Sequence, residues 1–273
     1  MARWRLIPPL LFLLLASACK KESEIAKELV TGKKAGQHAY QMLATWTVAE
    51  EFAFGRWEDF SSKQVELKAI DSLFIDGDGI IYEMNFGNGM VCIDGIKRSG
   101  KCTITLSHQN FPVEGELIWQ SDTTYPFAFV RENEKIELQG IMKLHVFSSD
   151  STQLTFDVTS NEGNETIRSY TGTEGVYVLY EQPIQANRKG TTWNGMWTTI
   201  LNGGPSANVT AKMLHNHSGC FSLWNAGRIS VFDSNNEAFE LNIDPYSTGA
   251  CDLEFSVTKG KGLNSLEMVF KAW

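Results

Sequence analysis

Apolar and polar residues alternate with a period of two along most of the chain beyond Lys63. In segment 101–106, for example, the even-numbered positions are Cys102, Ile104 and Leu106, and the odd-numbered positions are Lys101, Thr103 and Thr105. Each set of alternate positions, or parity, lies on one face of a strand. The same alternation recurs in segments 65–69, 136–146, 154–158, 176–180, 209–213, 229–231, 239–243, 251–257 and 266–270. This period is typical of half-buried strands. The pattern predicts an all-β fold of antiparallel meander sheets, arranged as a sandwich or as an open barrel-like body.

Glycine and aspartate punctuate these strands. The run Asp76-Gly77-Asp78-Gly79 separates two apolar segments and predicts a β-hairpin. Gly140 interrupts a long strand and predicts a bulge or a twist point.

A weak similarity between two segments of the chain bears on domain organisation. An aromatic residue and a glycine turn lead into Cys92 and Asp94, and a similar run leads into Cys251 and Asp252. This internal similarity favours two similar β halves at residues 63–165 and 166–273. A single continuous sheet is the alternative.

Residues 23–59 have a helical pattern instead. After a break at Gly32–Gly36, apolar residues recur with helical spacing at Tyr40, Leu43, Ala44, Val48, Phe52 and Phe54. We expect residues 19–62 to form a tether and a helical N-terminal extension whose stripe caps one face or end of the β body. A partner helix in another protein is the alternative.

The first residues are typical of an export signal. Arg3 and Arg5 precede an apolar run from Leu6 to Leu15, and Ala16-Ser17-Ala18-Cys19 follows. The run predicts a signal peptide at residues 1–18. Small residues before a cysteine resemble the lipobox of bacterial lipoproteins, which implies lipidation of Cys19 and attachment to a membrane. Ordinary cleavage after an A-x-A site is the competing interpretation.

The residues after Cys19 bear on localisation. The cluster Lys20-Lys21-Glu22 resembles the export signal of Bacteroidetes-type surface lipoproteins. The resemblance implies an outer-membrane protein, lipid-anchored and exposed at the cell surface. A plain polar tether, with a protein that faces the periplasm, is the alternative.

Charge excludes some partners. The chain has 24 Lys+Arg and 32 Asp+Glu, for a formal charge of -8, and loss of Arg3 and Arg5 with the signal peptide makes this -10. An acidic chain without a basic stripe argues against nucleic-acid binding.

Four cysteines remain besides Cys19, and in an exported protein they favour two disulfides, for which Cys92–Cys102 and Cys220–Cys251 are the local pairing. Buried thiols are the alternative.

Tryptophans are the main candidates for ligand binding. Trp193 and Trp197 lie in a glycine-bounded segment, and Trp119, Tyr125 and Trp224 could join them. Aromatic rings on an exposed β face are a platform for sugar rings, so these residues could bind an extracellular glycan. Packing in the core is the alternative, because tryptophan is highly buried on average.

Two longer motifs resemble a group of uncharacterised Bacteroidetes lipoproteins. They are NFGNGMVCIDGIKRSGKCTITL (residues 85–106) and STGACDLEFSVT (residues 247–258). In the first, Lys97, Arg98 and Lys101 are expected to project from a hairpin that could contact an anionic partner. The family has no settled activity, so the resemblance implies a compartment and a fold but no mechanism.

The chain lacks the sequence signatures of common hydrolases, zinc proteases, phosphate loops and redox dithiols. We therefore predict no catalytic residue, no metal and no cofactor. The predicted function is that of a lipid-anchored envelope protein with a structural or binding role, whose partner is a glycan or an envelope protein. A glycan hydrolase is the remoter alternative, with strand carboxylates such as Asp157 and Glu240 as candidates.

Overall fold

The fold was determined as a computed structural model, which describes residues 25–53, 68–92, 95–108, 115–131, 134–148, 151–180, 190–204, 206–216, 226–243, 254–260 and 265–271. One long helix, α1 (Val30–Ala53), precedes the strands. The first nine strands are β1 (Ile70–Asp76), β2 (Gly79–Asn85), β3 (Met90–Val91), β4 (Lys97–Ser99), β5 (Lys101–Leu106), β6 (Gly115–Ser121), β7 (Phe127–Arg131), β8 (Glu134–Ser148) and β9 (Ser151–Glu162). The remainder are β10 (Glu165–Tyr170), β11 (Val176–Tyr180), β12 (Gly190–Leu201), β13 (Ser206–Asn216), β14 (Ala226–Phe232), β15 (Ala238–Ile243), β16 (Glu254–Lys259) and β17 (Leu266–Lys271).

The strands form one antiparallel meander sheet, as the alternation predicted. Its main path runs β1–β2–β5–β6–β8–β9. β9 then pairs with both β10 and β11, and these two strands pair with β12. From β12 each strand pairs with the next in sequence as far as β17. The sheet therefore continues through residue 166, where the sequence predicted a boundary between two halves.

In the long central strands β8 and β9, the apolar parity points into the core. Leu138, Met142 and Leu144 of β8 are buried, and Leu154 and Val158 of β9 are buried beside them. Gly140 lies opposite Val158, and the pairing of β8 with β9 is regular at this point, so the residues on both sides of Gly140 stay on the same face. The φ of Gly140 is nevertheless 129°. The predicted bulge is therefore absent at that residue, and the glycine is required by the positive φ instead.

Helix α1 lies inside the curved sheet. Residues 38–50 are all buried, which covers every face of more than three turns. The helix contacts β5 and β6 on one side of the meander and β14, β15 and β16 on the other. The sequence correctly predicted a helix here, but its stripe does not cap a face or an end of the body. The helix is the centre of the core.

Two glycines explain why the predicted break in the helix is absent. A Cβ added at Gly32 would lie 2.6 Å from Cγ1 of Val257, and one added at Gly36 would lie 2.6 Å from Cδ2 of Leu241. The glycines thus allow α1 to approach the sheet closely, and the helix continues through both. Their role is close packing rather than chain reversal.

Candidate functional site

The tryptophans expected to bind a ligand lie in the core. Trp193 and Trp197, on β12, are 1% and 4% exposed. The Trp197 ring packs edge-on against Phe156, with the ring centroids 5.8 Å apart. Neither ring presents its face to solvent, so both occupy the core position that was the alternative interpretation. Trp224 lies outside the described residues.

Cys92 and Cys102 are buried thiols, so the predicted Cys92–Cys102 disulfide is not formed. Strand pairing gives the reason. Cys92 follows β3 in a tight turn, where its N–H donates to the Ile96 carbonyl, whereas Cys102 lies in β5 between β2 and β6. Burial raises the pKa of the Cys102 thiol to about 12, against smaller opposing effects of Trp119 and Arg98. Cys102 is therefore an uncharged, unreactive thiol at neutral pH. Cys19, Cys220 and Cys251 lie outside the described residues.

The expected cluster of three exposed cations is also different. Lys97 is exposed, but Arg98 is completely buried, with its guanidinium carbon 5.8 Å from the centre of the Phe129 ring. The short strand β4 lies between β3 and β7, which turns every second side chain inward. Arg98 is thus part of the core, and the hairpin presents only lysines to a partner.

The structure instead brings together buried polar side chains that the sequence analysis did not single out. Lys34, His38 and Gln41 lie on one face of α1, since they are four and three residues apart. Ser160 of β9 faces them, and in the next strands Ser169 and Thr199 share a hydrogen bond, with their hydroxyl oxygens 2.8 Å apart. We call Lys34, His38, Gln41 and Ser160 the interior polar cluster. The signal was present in the sequence as the spacing of polar residues along the helix.

His38 is completely buried in this cluster. Among the described residues, none completes a hydrogen bond of normal geometry with either ring nitrogen of His38. Desolvation lowers its pKa to about 4, although the nearby Gln41 side chain and Val158 backbone favour the charged form. The imidazole is therefore neutral at physiological pH.

A small cavity lies at the outer end of the cluster. Its volume is about 10 Å³, and Gln41, Ser160 and Glu162 are among the residues that line it. Gln41 Oε1 is buried here without a hydrogen-bond donor in the described part of the chain, and Lys34 closes the opening through an ion pair with Glu165. This volume is about the minimum that one water molecule requires. The cavity therefore suits an ordered water and is too small for an organic ligand.

The carboxylates considered for glycan hydrolysis are engaged in pairs on the outer face. Asp157 accepts two hydrogen bonds from Arg168, at 2.8 and 2.6 Å. Ser230 donates a hydrogen bond to Glu240 at 2.9 Å. The described residues also contain no group of three potential ligands that could hold a metal ion.

Among the described residues, three consecutive exposed apolar residues lie on an edge strand of the sheet. Leu73, Phe74 and Ile75 of β1 are consecutive, and they are 52%, 49% and 69% exposed. Consecutive strand residues point to opposite faces, so both faces of this strand are open to solvent. Exposed apolar segments of this kind mark interaction sites more often than scattered apolar residues do.

Comparisons with known proteins do not assign this fold to a group. No family model matches the chain, and neither a curated protein nor a solved structure shows significant similarity to it. Among the described helices, none combines the length and apolar character needed to cross a membrane. The class that the fold defines is thus an antiparallel meander sheet that curves around one buried helix.

Proposed function

We propose that this chain is a lipid-anchored protein of the cell envelope, exposed at the surface, with a structural or binding role and no catalytic activity. The observation that carries the proposal is the N-terminal sequence, in which two arginines, an apolar run and Ala16-Ser17-Ala18 lead directly to Cys19. The charged residues after Cys19 then form the start of a polar tether to the folded body.

The packing of the described interior supports a binding role at the outer surface. Residues 38–50 of α1 fill the space inside the sheet, and the described cavity beside the helix holds about one water molecule. Sheets that bind small molecules inside usually leave a cavity of about 300 Å³ or more. We infer that a partner binds at the outer surface and that the interior polar cluster has a structural role.

The alternative function, binding of a surface glycan, rests on exposed tyrosines rather than on the buried Trp193 and Trp197; Tyr125 was among the predicted residues, and Tyr177 was not. Tyr125 and Tyr177 are exposed, and the Lys101 ammonium lies 5.6 Å from the centre of the Tyr125 ring. An aromatic ring beside a hydrogen-bond donor is a usual contact for a sugar.

Protease treatment of intact cells tests the anchor and the surface exposure. We expect the wild-type protein to be in the membrane fraction and to be digested from outside, because the lipid holds it at the outer face. A Cys19→Ala strain should release the protein from membranes. A periplasmic protein detected in the same cells, and protected from the protease, is the control for intact outer membranes.

Two results would contradict the proposal. Membrane association that persists in Cys19→Ala cells would show that the lipid is not the anchor. Protection of the wild-type protein in intact cells would place it on the periplasmic side.

A further inference from the structure

Strand β1 stands at an edge of the sheet. Within the described residues it pairs with β2 alone, from Ile70 opposite Met84 to Asp76 opposite Gly79. The N–H and C=O groups on its other side therefore face away from any described strand. Such an edge is a template for pairing with another chain.

The features that natural proteins use to block an edge are absent from the exposed half of β1. The segment Leu73-Phe74-Ile75 contains no lysine and no proline. The one irregularity of its pairing with β2 lies between Ile70 and Ser72, at the start of the strand. The exposed half is thus regular, apolar and accessible to a further strand.

Charge selects the kind of strand that this edge would accept. The hairpin formed by residues 70–85 contains Asp71, Asp76, Asp78 and Glu83, and it contains no lysine or arginine. A second copy of β1, antiparallel to the first and with Leu73 opposite Phe74, would bring Asp71 of one copy near Asp76 of the other. Lys101 of β5 lies 3.9 Å from Asp71 and offsets part of this charge, so Asp76 and Asp78 contribute most to the acidic character of the edge. Like charges at opposite positions destabilise a strand pair, so a basic partner is favoured over a second copy.

The alternation of side chains along β1 indicates which residues a partner strand would contact on each face. Leu73 and Ile75 point to one face of the strand, and Phe74 and Asp76 point to the other. A partner strand would place apolar side chains beside the first pair. On the other face, lysine or arginine would meet both the aromatic ring and the carboxylate.

We propose that the β1 edge binds an extended segment of another protein in which basic and apolar residues alternate, so that this segment adds a strand to the sheet. Backbone hydrogen bonds provide the affinity in this mode of recognition, and the side chains provide the specificity. The inference rests on the binding role proposed above, and it does not depend on the lipid at Cys19.

A peptide of about eight residues with alternating Lys and Val, capped at both ends, is a suitable probe. We expect saturable binding to the purified full chain by titration calorimetry. Ile75→Lys should weaken it about tenfold or more, because it adds a cation to the acidic edge and removes an apolar contact. The matched control is Met196→Lys on β12, where the side chain is 62% exposed and binding should stay within about twofold.

Each contrary outcome overturns the inference. The inference is wrong if the peptide shows no saturable binding, or if a peptide with Glu in place of Lys binds equally well. It is also wrong if Ile75→Lys leaves the affinity for the Lys-Val peptide unchanged. A concentration-dependent dimer in sedimentation, dissociated by Ile75→Lys, would assign the edge to a second copy. These measurements use purified protein, so the result of the protease experiment on cells leaves their outcome unaffected.

Discussion

Replacement of His38 by leucine should make the protein resistant to mild acid. The wild-type imidazole has a pKa of about 4 when folded and an ordinary pKa of 6.5 when unfolded. The unfolded chain thus binds more protons between these values, and the free energy of unfolding falls as the pH drops through this window. The two values together imply that the wild type loses about 3 kcal/mol between about pH 7 and pH 4 through this residue alone.

Urea denaturation at a series of pH values measures this effect as the difference between His38→Leu and wild type. At neutral pH the variant should be at least as stable as wild type, since leucine buries no ring nitrogen that lacks a partner. His145→Gln, at a partly exposed residue on the outer face, is the control and should keep the acid sensitivity. Equal losses of stability in His38→Leu and wild type would show that His38 does not enter the core as a neutral group.

Gly140→Ala should destabilise the fold by about 3 kcal/mol or more, which is large for the addition of one methyl group. The φ of Gly140 is 129°, a conformation that side chains rarely adopt. An added Cβ would also lie 2.0 Å from the Asp157 carbonyl oxygen and 2.9 Å from Cα of Val158. Both atoms belong to the backbone of β9, so the clash cannot be relieved by rotation of a side chain.

Two other glycines separate the causes of this effect. Gly163 has a φ of 59° and open space around an added Cβ, so Gly163→Ala should show the backbone cost alone, about 1 kcal/mol. Gly172 also has open space around an added Cβ but no positive φ, and Gly172→Ala should change stability by less than about 0.5 kcal/mol. If thermal and urea unfolding gave Gly140→Ala the same stability as Gly172→Ala, the described contact of β8 with β9 would be wrong.

The strands could be predicted because each one carries its own signal. The alternation at Cys102, Ile104 and Leu106 placed these residues on one face, and all three are buried. The hairpin turn at Asp76–Gly79 and the unusual backbone at Gly140 were also predicted, since each needs only local sequence. An antiparallel meander follows when neighbours in sequence pair with each other.

The position of α1 could not be predicted in the same way. Its polar residues, such as His38, Gln41 and Glu50, are typical of a solvent-facing side, yet all three are buried. Some of their neighbours are distant in sequence, since Ser160 of β9 lines the same cavity as Gln41. Gly32 and Gly36 indicated a break for a similar reason, because the side chains of Val257 and Leu241 that fill the space beside them are distant in sequence.

The candidate binding residues illustrate a related difficulty. Trp193 and Trp197 were compatible both with a ligand platform and with the core, which the usual burial of tryptophan favoured, because alternation does not tell which parity faces inward when both parities contain large side chains. Arg98 looked exposed because cations usually are, but it lies on the inward parity of β4. The exposed edge at Leu73–Ile75 could not be recognised either, since three successive apolar residues are typical of a buried strand.

The central claim is that α1 lies inside the sheet as the centre of the core. Amide hydrogen exchange measured residue by residue tests it directly. We expect the amides of residues 38–50 to exchange as slowly as those in the middle of β8 and β9, through global unfolding only, while β1 exchanges faster. Fast exchange throughout α1, with β8 and β9 still protected, would contradict the claim, because it would show a helix that detaches from an intact sheet.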